Sequence, residues 1–371
     1  MKFPTNAQRR RGLGPVGKGN VHGLLVHAMI AVDARSGSCL GLVGGDVWSR
    51  AGVNPTPHGE RPLAERESVH WVRTAQQAKS VLQSAAMVTV VADRESDMYP
   101  LWASVPDENV HVLTRAMKDR ALVGGGTLFA TVAAAPVAGK REIKLPGRDP
   151  GQPKRTAKVE LRHCEVVILR PQQERDLSLP PSVRLRVIEV RETDPPEGVE
   201  ALHWRLLTTH DIADAKAAWE IVGWYELRWT IEQMFRVMKS QGLQLEDSQV
   251  STAERLVKLA AVATKAACVD IQLTQGRDGT DQMPASNVFS EAEIDTLAAL
   301  RPTLEGQTER QRNPHPPRSL AWAGWIIGRL GGWNCYYKPP GPITFRRGME
   351  HFYQIHRGRQ LERLKREVRI P

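Results

Sequence analysis

The chain has 371 residues, 51 of them Lys or Arg and 41 Asp or Glu, which leaves a formal net charge of +10 at pH 7. With 41% hydrophobic and 25% charged residues, the composition excludes a chain disordered throughout and fits two or three folded domains. The richest apolar stretch, Leu256 to Leu273, is broken by Lys258, Lys265 and Asp270, so no membrane span is expected. The basic N-terminus has no apolar run after it, so no signal peptide is expected either.

In chain order, two β-rich runs, Leu24 to Val32 and Ser38 to Val43, flank Asp33-Ala-Arg-Ser-Gly37 and predict a hairpin. A Pro/Gly-rich loop around Asn54 to Pro62 precedes a helical pattern over Ser68 to Ala85. Met87 to Ala92 is a compact apolar run, short enough for a buried strand, and it stops at Asp93. Ser96 to Ser104 reads as a helix and Asn109 to Arg115 as a strand, so this first part forms one mixed α/β layer. From 117 to about 210, Gly and Pro punctuate alternating strands at Lys158 to Leu169, Val183 to Arg191 and Ala201 to Thr208, which predicts an all-β insertion. A long helix follows over 213–241 and another over 251–275. Gly276 to Asn287 reads as a linker, and the remainder as helical, with an aromatic block from Ser319 to Tyr337.

Charge and cysteines narrow the class. Residues 1–20 carry Lys2, Arg9, Arg10, Arg11 and Lys18 and no acid, and residues 341–371 carry eight Lys or Arg against three Glu. The body between them is neutral. Two basic ends fit a polyanionic partner such as nucleic acid, and equally a pair of solvated tails. Cys39, Cys164, Cys268 and Cys335 stand singly with no CxxC pair, which fits a reducing compartment and argues against a disulfide framework or zinc site. His22 and His27 are five apart on one strand, hence on opposite faces, and Gly124-Gly125-Gly126 has no P-loop context.

The long helix holds the densest chemistry. Tyr225, Arg228, Glu232 and Lys239 fall, at ~100° per residue, within a ~60° sector of a continuous helix. Beside it runs an apolar stripe of Trp224, Leu227, Ile231, Met234, Phe235 and Met238. Arg228 and Glu232 fit an i,i+4 salt bridge; the same set fits a carboxylate metal ligand flanked by phosphate-gripping groups. Asp93, at the end of a buried strand, fits a ligand site at the sheet edge and also a helix N-cap.

The spacing Y-(2)-R-(3)-E-(6)-K of these four residues resembles the signature of bacterial insertion-sequence DDE transposases of the "insertion sequence four" superfamily. Asp93-Arg94-Glu95-Ser96-Asp97-Met98-Tyr99 is similar to the DREADIY box of the transposon-five transposase in that family. The resemblance runs from about His22 to the aromatic block near Trp333. It implies a mixed α/β fold: a ribonuclease-H-like core (1–116 and 211–275) interrupted by the all-β insertion (117–210), then a helical C-terminal dimerisation region (276–371). It implies cut-and-paste cleavage and strand transfer on double-stranded DNA, at transposon ends and target, with two Mg²⁺ ions (Mn²⁺ able to substitute). Asp93 matches the second Asp of the triad and Glu232 its Glu, both as catalytic metal ligands. Tyr225, Arg228 and Lys239 match DNA-gripping residues. Trp204 resembles a tryptophan that stacks on a flipped base, although the strand pattern also suits a core residue. Arg115 resembles a basic residue beside the site. A homodimer in the bacterial cytoplasm, nucleoid-associated when bound to DNA, is implied.

One family feature has no counterpart. The first Asp of the triad matches no residue of this sequence; neither Asp33, in a turn, nor Asp46 fits its place. The resemblance therefore implies an N-terminally truncated chain that is inactive alone. An alternative expectation is a non-catalytic inhibitor that pairs with full-length transposase. A stand-alone nuclease fits the Y-R-E-K spacing less well.

Overall fold

A computed structural model describes residues 1–2, 11–16, 21–50, 61–145, 154–241, 243–280 and 282–367. The predicted loop at Asn54 to Pro62 lies outside the described residues apart from its end, as do Arg9, Arg10 and Lys18. By its contacts the chain divides into two compact units, one built from Met1–Val53 with Trp229–Pro371, the other from Asn54–Arg228.

The first unit opens with two short strands, β1 (Gly14–Pro15) and β2 (His22–Gly23), and then the predicted hairpin, β3 (Leu25–Val32) and β4 (Cys39–Trp48). Its turn is set by Asp33, whose Oδ1 accepts from the Arg35 and Ser36 amides at 3.0 and 2.8 Å. Gly37 follows at φ +74°, where a side chain would be strained. The sequence predicted this hairpin as part of one layer with the later strands. Among the described residues β3 and β4 instead pair only with each other.

The second unit follows with α1 (Val69–Val81), β5 (Val88–Ala92), a 3₁₀ turn at Arg94–Ser96, α2 (Tyr99–Ser104), β6 (Val110–Arg115), α3 (Leu128–Ala134), β7 (Val137–Leu145), β8 (Arg155–Leu169), β9 (Ser182–Glu192), β10 (His203–Thr208) and α4 (Ala215–Glu226). The six strands form one sheet in the order β5-β6-β10-β9-β8-β7. β5 and β6 are parallel, joined by the α2 crossover; all other neighbours are antiparallel. The segment expected to be all-β therefore extends the sheet that carries Asp93, through the β6–β10 pairing. It also contains α3, which the sequence reading missed because a seven-residue helix offers too few turns to show a period. α4 covers one face of the sheet, where Leu113, Leu161, Ile188, Val190, Leu206, Ile221 and Val222 make a continuous core. Each such side chain contributes about 1.5–3 kcal/mol by leaving water.

Within the first unit the chain resumes at α5 (Trp229–Arg236), a π-helical turn at Val237–Gln241, and α6 (Ala253–Gly276). Met234 and Met238 of this segment join Leu24 and Cys39 of the hairpin and Leu256, Ala260 and Ile271 of α6 in a second core. Three more α-helices follow among the described residues of the unit: α7 (Glu291–Leu304), α8 (Leu320–Leu330) and α9 (Pro342–Glu367). α8 is buried over most of its length because its sequence, LAWAGWIIGRL, is apolar on every side. Gly348 lets α9 approach it: a Cβ there would overlap the Ile327 carbonyl oxygen. No described helix is long and apolar enough to cross a membrane.

Candidate active site

The long helix expected over 213–241 is two helices. Leu227 and Arg228 form a tighter turn between them, their amides donating three residues back to Trp224 and Tyr225 at 3.2 Å. The stripe derived for one continuous helix is therefore corrected: Tyr225 lies on α4, Arg228 in the turn, Glu232 on α5 and Lys239 in the π-helical turn. The physical reason is that the segment serves two cores. Tyr225, with Trp224 packed beside it, belongs to the core beneath the sheet, whereas Met234 and Met238 belong to the hairpin core.

Within the second unit the residues singled out from sequence do gather. In the parallel pair, Ala92 stands opposite Thr114. The next residues along the two strands are Asp93 and Arg115, on the sheet face that α4 covers. Arg115 is anchored by a 2.9 Å bond from its guanidinium to the His203 carbonyl oxygen, on β10. The neighbouring residue Trp204 faces α4 and meets Tyr225 edge-on, ring centroids 5.5 Å apart. The Arg228 guanidinium lies 5.8 Å from the Tyr225 ring. Burial pushes the Tyr225 phenol above its ordinary value; the cations of Arg228 and Arg115 oppose that, and the Asp93 carboxylate adds to it. One phenol thus senses the Asp93 carboxylate and the Arg115 guanidinium at the strand ends, where α/β sheets place ligands, and the Arg228 guanidinium of the turn after α4.

Asp93 caps the 3₁₀ turn Arg94–Ser96, its Oδ1 accepting from the Glu95 amide at 2.9 Å; the helix that its cap reading expected starts later, at Tyr99, with Met98 at its N-cap. Capping engages one oxygen of a half-buried carboxylate, so the ligand reading stays compatible with it. Trp204 is buried with only 6% of its surface exposed. It is a core residue in this state, and stacking on a base requires its ring face to be uncovered. Glu232 is half-buried and Lys239 exposed in the other unit.

Carboxylate oxygens at an open strand end are hard donors of the kind Mg²⁺ takes. Among the described residues, no group of three or more His, Cys, Asp or Glu side chains is arranged to hold a metal ion. Asp93 fits such an ion in kind, and further ligands are needed to hold one.

Sequence reasoning missed two clusters. Asp97, in the same acidic box as Asp93, is wholly buried and ion-paired with Arg120. Glu189, on β9, is 3% exposed and accepts from His203 Nε2 at 2.8 Å and Arg205 Nε at 2.9 Å. The alternation of charge along β8 to β10 was the only available signal, and it does not separate buried pairs from solvated ones.

The mixed α/β sheet thus carries an acid and a guanidinium at the ends of its parallel strands, with a phenol on α4 and a second guanidinium in the turn after it, groups of the kind that can bind phosphate. Comparison with known families makes this specific. The family described as transposase DDE domain matches residues 5–268, a stretch that contains both Asp93 and Glu232. The chain belongs to the transposase DDE-domain family. That family cleaves DNA and transfers strands, and DNA is the substrate that membership implies.

Proposed function

We propose that this chain is an insertion-sequence transposase of the "insertion sequence four" type, related to the transposon-five transposase. In this reading it acts in cut-and-paste cleavage and strand transfer at element ends. The family match over residues 5–268 supports the transposase part of the reading, and the resemblance of the acidic box and the Y-R-E-K spacing is what supports the narrower type. The parallel pair β5–β6 and the hairpin β3–β4 are read as parts of a ribonuclease-H-like core, with β7 to β10 as its insertion. Asp93 and Glu232 are the carboxylates that would hold divalent ions, Mg²⁺ by preference. When bound, such ions stabilise the attacking and leaving oxygens of an in-line phosphoryl transfer.

The chain's own residues do the rest. Arg115 and Arg228 neutralise phosphate beside Asp93, and Lys239 grips the backbone as a point charge. The Tyr225 phenol, held protonated by burial, can donate to a phosphate oxygen. Trp204, once uncovered, offers a flat surface for an unstacked base. The C-terminal region is read as a homodimer contact: Tyr353, Leu361 and Leu364 of α9 are exposed and fall on one side of it.

Because the motif supplies two of the three triad carboxylates, the chain alone is expected to bind DNA and not to cut it. The test is the purified 371-residue chain on duplex DNA carrying its element ends, with Mg²⁺. Salt-dependent binding without cleavage supports the reading. Cleavage that disappears in Glu232→Ala overturns the inactivity, and absence of DNA binding overturns the reading itself.

A further inference from the structure

We propose that Asp97 is a positioning residue: it ties the turn that bears Asp93 to the turn that follows Arg115, and so holds the acid and the base at one end of the sheet. Its functional half rests on the reading of Asp93 as a metal ligand.

Asp97 is a carboxylate whose side chain is 0% exposed. A buried carboxylate persists only when it is paired and hydrogen-bonded. All of its side-chain partners come from the turn after β6. Oδ2 accepts from the backbone amides of Met117 and Lys118 at 2.6 and 2.7 Å, and Oδ1 from the Arg120 guanidinium at 2.6 Å. The same Arg120 nitrogen also donates to the Asp97 carbonyl oxygen at 2.8 Å. Both carboxylate oxygens are engaged, which marks Asp97 as a brace, whereas Asp93 is the candidate ligand. The acidic box by itself does not distinguish the two.

On its other side Asp97 closes the Asp93 turn. Its amide donates to the Arg94 carbonyl oxygen at 3.3 Å, and Ser96 Oγ donates to the Asp93 carbonyl oxygen at 2.6 Å. The Glu95 amide within that turn holds the Asp93 carboxylate. One further tie joins the α2 crossover to β6: Trp102 Nε1 donates to Thr114 Oγ1 at 2.9 Å, with the Arg120 guanidinium 5.2 Å from the Trp102 ring. The β5–β6 register ends at Ala92 and Thr114, while Arg115 stays held by its pairing with Leu206 and by the Ala116 amide, which donates to the Arg205 carbonyl oxygen at 2.8 Å; the position of the Asp93 turn relative to it therefore depends on such side-chain ties.

The test is Asp97→Asn in the full chain, read by residue-resolved amide hydrogen exchange and by Mn²⁺ binding. The Asn side chain keeps the volume but turns an amino group toward a donor. Exchange at Met117 and Lys118 should quicken at least ~10-fold, that at Glu95 should quicken with it, and β8 and β9 should be unchanged. Mn²⁺ affinity should fall about 10-fold or more, as for lost outer partners of a metal ligand. If Met117 and Lys118 quicken while Glu95 and Mn²⁺ affinity stay at wild-type values, Asp97 only ties its own turn and the proposal is overturned. Arg120→Gln, which leaves Asp97 and its two amide bonds, should move Glu95 the same way to a smaller extent. Should Asp97→Asn not fold, unchanged Glu95 exchange in Arg120→Gln overturns the proposal. Asp93→Ala separates the two ideas: Mn²⁺ affinity unaffected by it sinks the ligand reading, while Glu95 exchange in the other variants still decides the brace.

Discussion

Asp270 gives the sharpest quantitative prediction. It sits on α6 with 3% of its surface exposed, and burial pushes its carboxyl up to about 7 from an ordinary 3.8, against the opposing pull of Arg346 on α9. Between those two values the native state holds a proton that the unfolded chain has released. Stability therefore falls as pH rises through this window, and the loss is complete above about 7. At about 1.4 kcal/mol per pH unit, the ionised form costs the fold up to roughly 4 kcal/mol at pH 8. Asp270→Asn removes the ionisation and nearly preserves the volume. The variant should match the wild type near pH 4 and exceed it by a margin that grows to as much as ~4 kcal/mol at pH 8. Arg346, left with Glu350 at 3.6 Å as its acidic neighbour, reduces that gain. Urea denaturation from pH 4 to 8 measures it, in whichever transition the substitution moves. A difference between variant and wild type that does not change with pH, or a variant less stable at pH 8, would refute the reasoning.

The other unit should respond in the opposite sense. Burial and the adjacent His111 push His210 down to about 4, so its contribution is present above an ordinary 6.5 and is lost as pH falls toward 4; His210→Gln should flatten that acid limb in the same denaturation series. Trp204→Ala should cost about 3–5 kcal/mol through the cavity left beside Tyr225, with Trp204→Phe costing less, as chemical denaturation would show. Cys39 and Cys268 are buried with sulfurs 3.5 Å apart, and their mutual contact pushes the Cys268 thiol up. In native protein a thiol reagent should modify both more slowly than the half-buried Cys164 and Cys335, and mass spectrometry of the labelled peptides would read the order.

Local signals were enough for most elements. The apolar run ending at Asp93, the Asp33–Gly37 turn and the alternation in β8 and β9 each encode their structure within a few residues, and the structure reproduces them within a few residues at each end. The two motifs that led to the family were also readable, because the spacing of side chains is a property of the chain. The pairing of β10 with β6 was not readable, since it joins residues far apart in sequence, unlike its pairing with the preceding strand β9. Nor was the break at Leu227-Arg228: both halves of that segment have helical periodicity, and only the separate cores they enter set the interruption. The acidic box shows the same division. Sequence singles out Asp93 by its place at the strand end and by resemblance, and says nothing of the burial of Asp97 four residues on. The fold buries one against three donors and leaves the other at the strand end beside Arg115, because burial and partners are fixed by what packs around a residue.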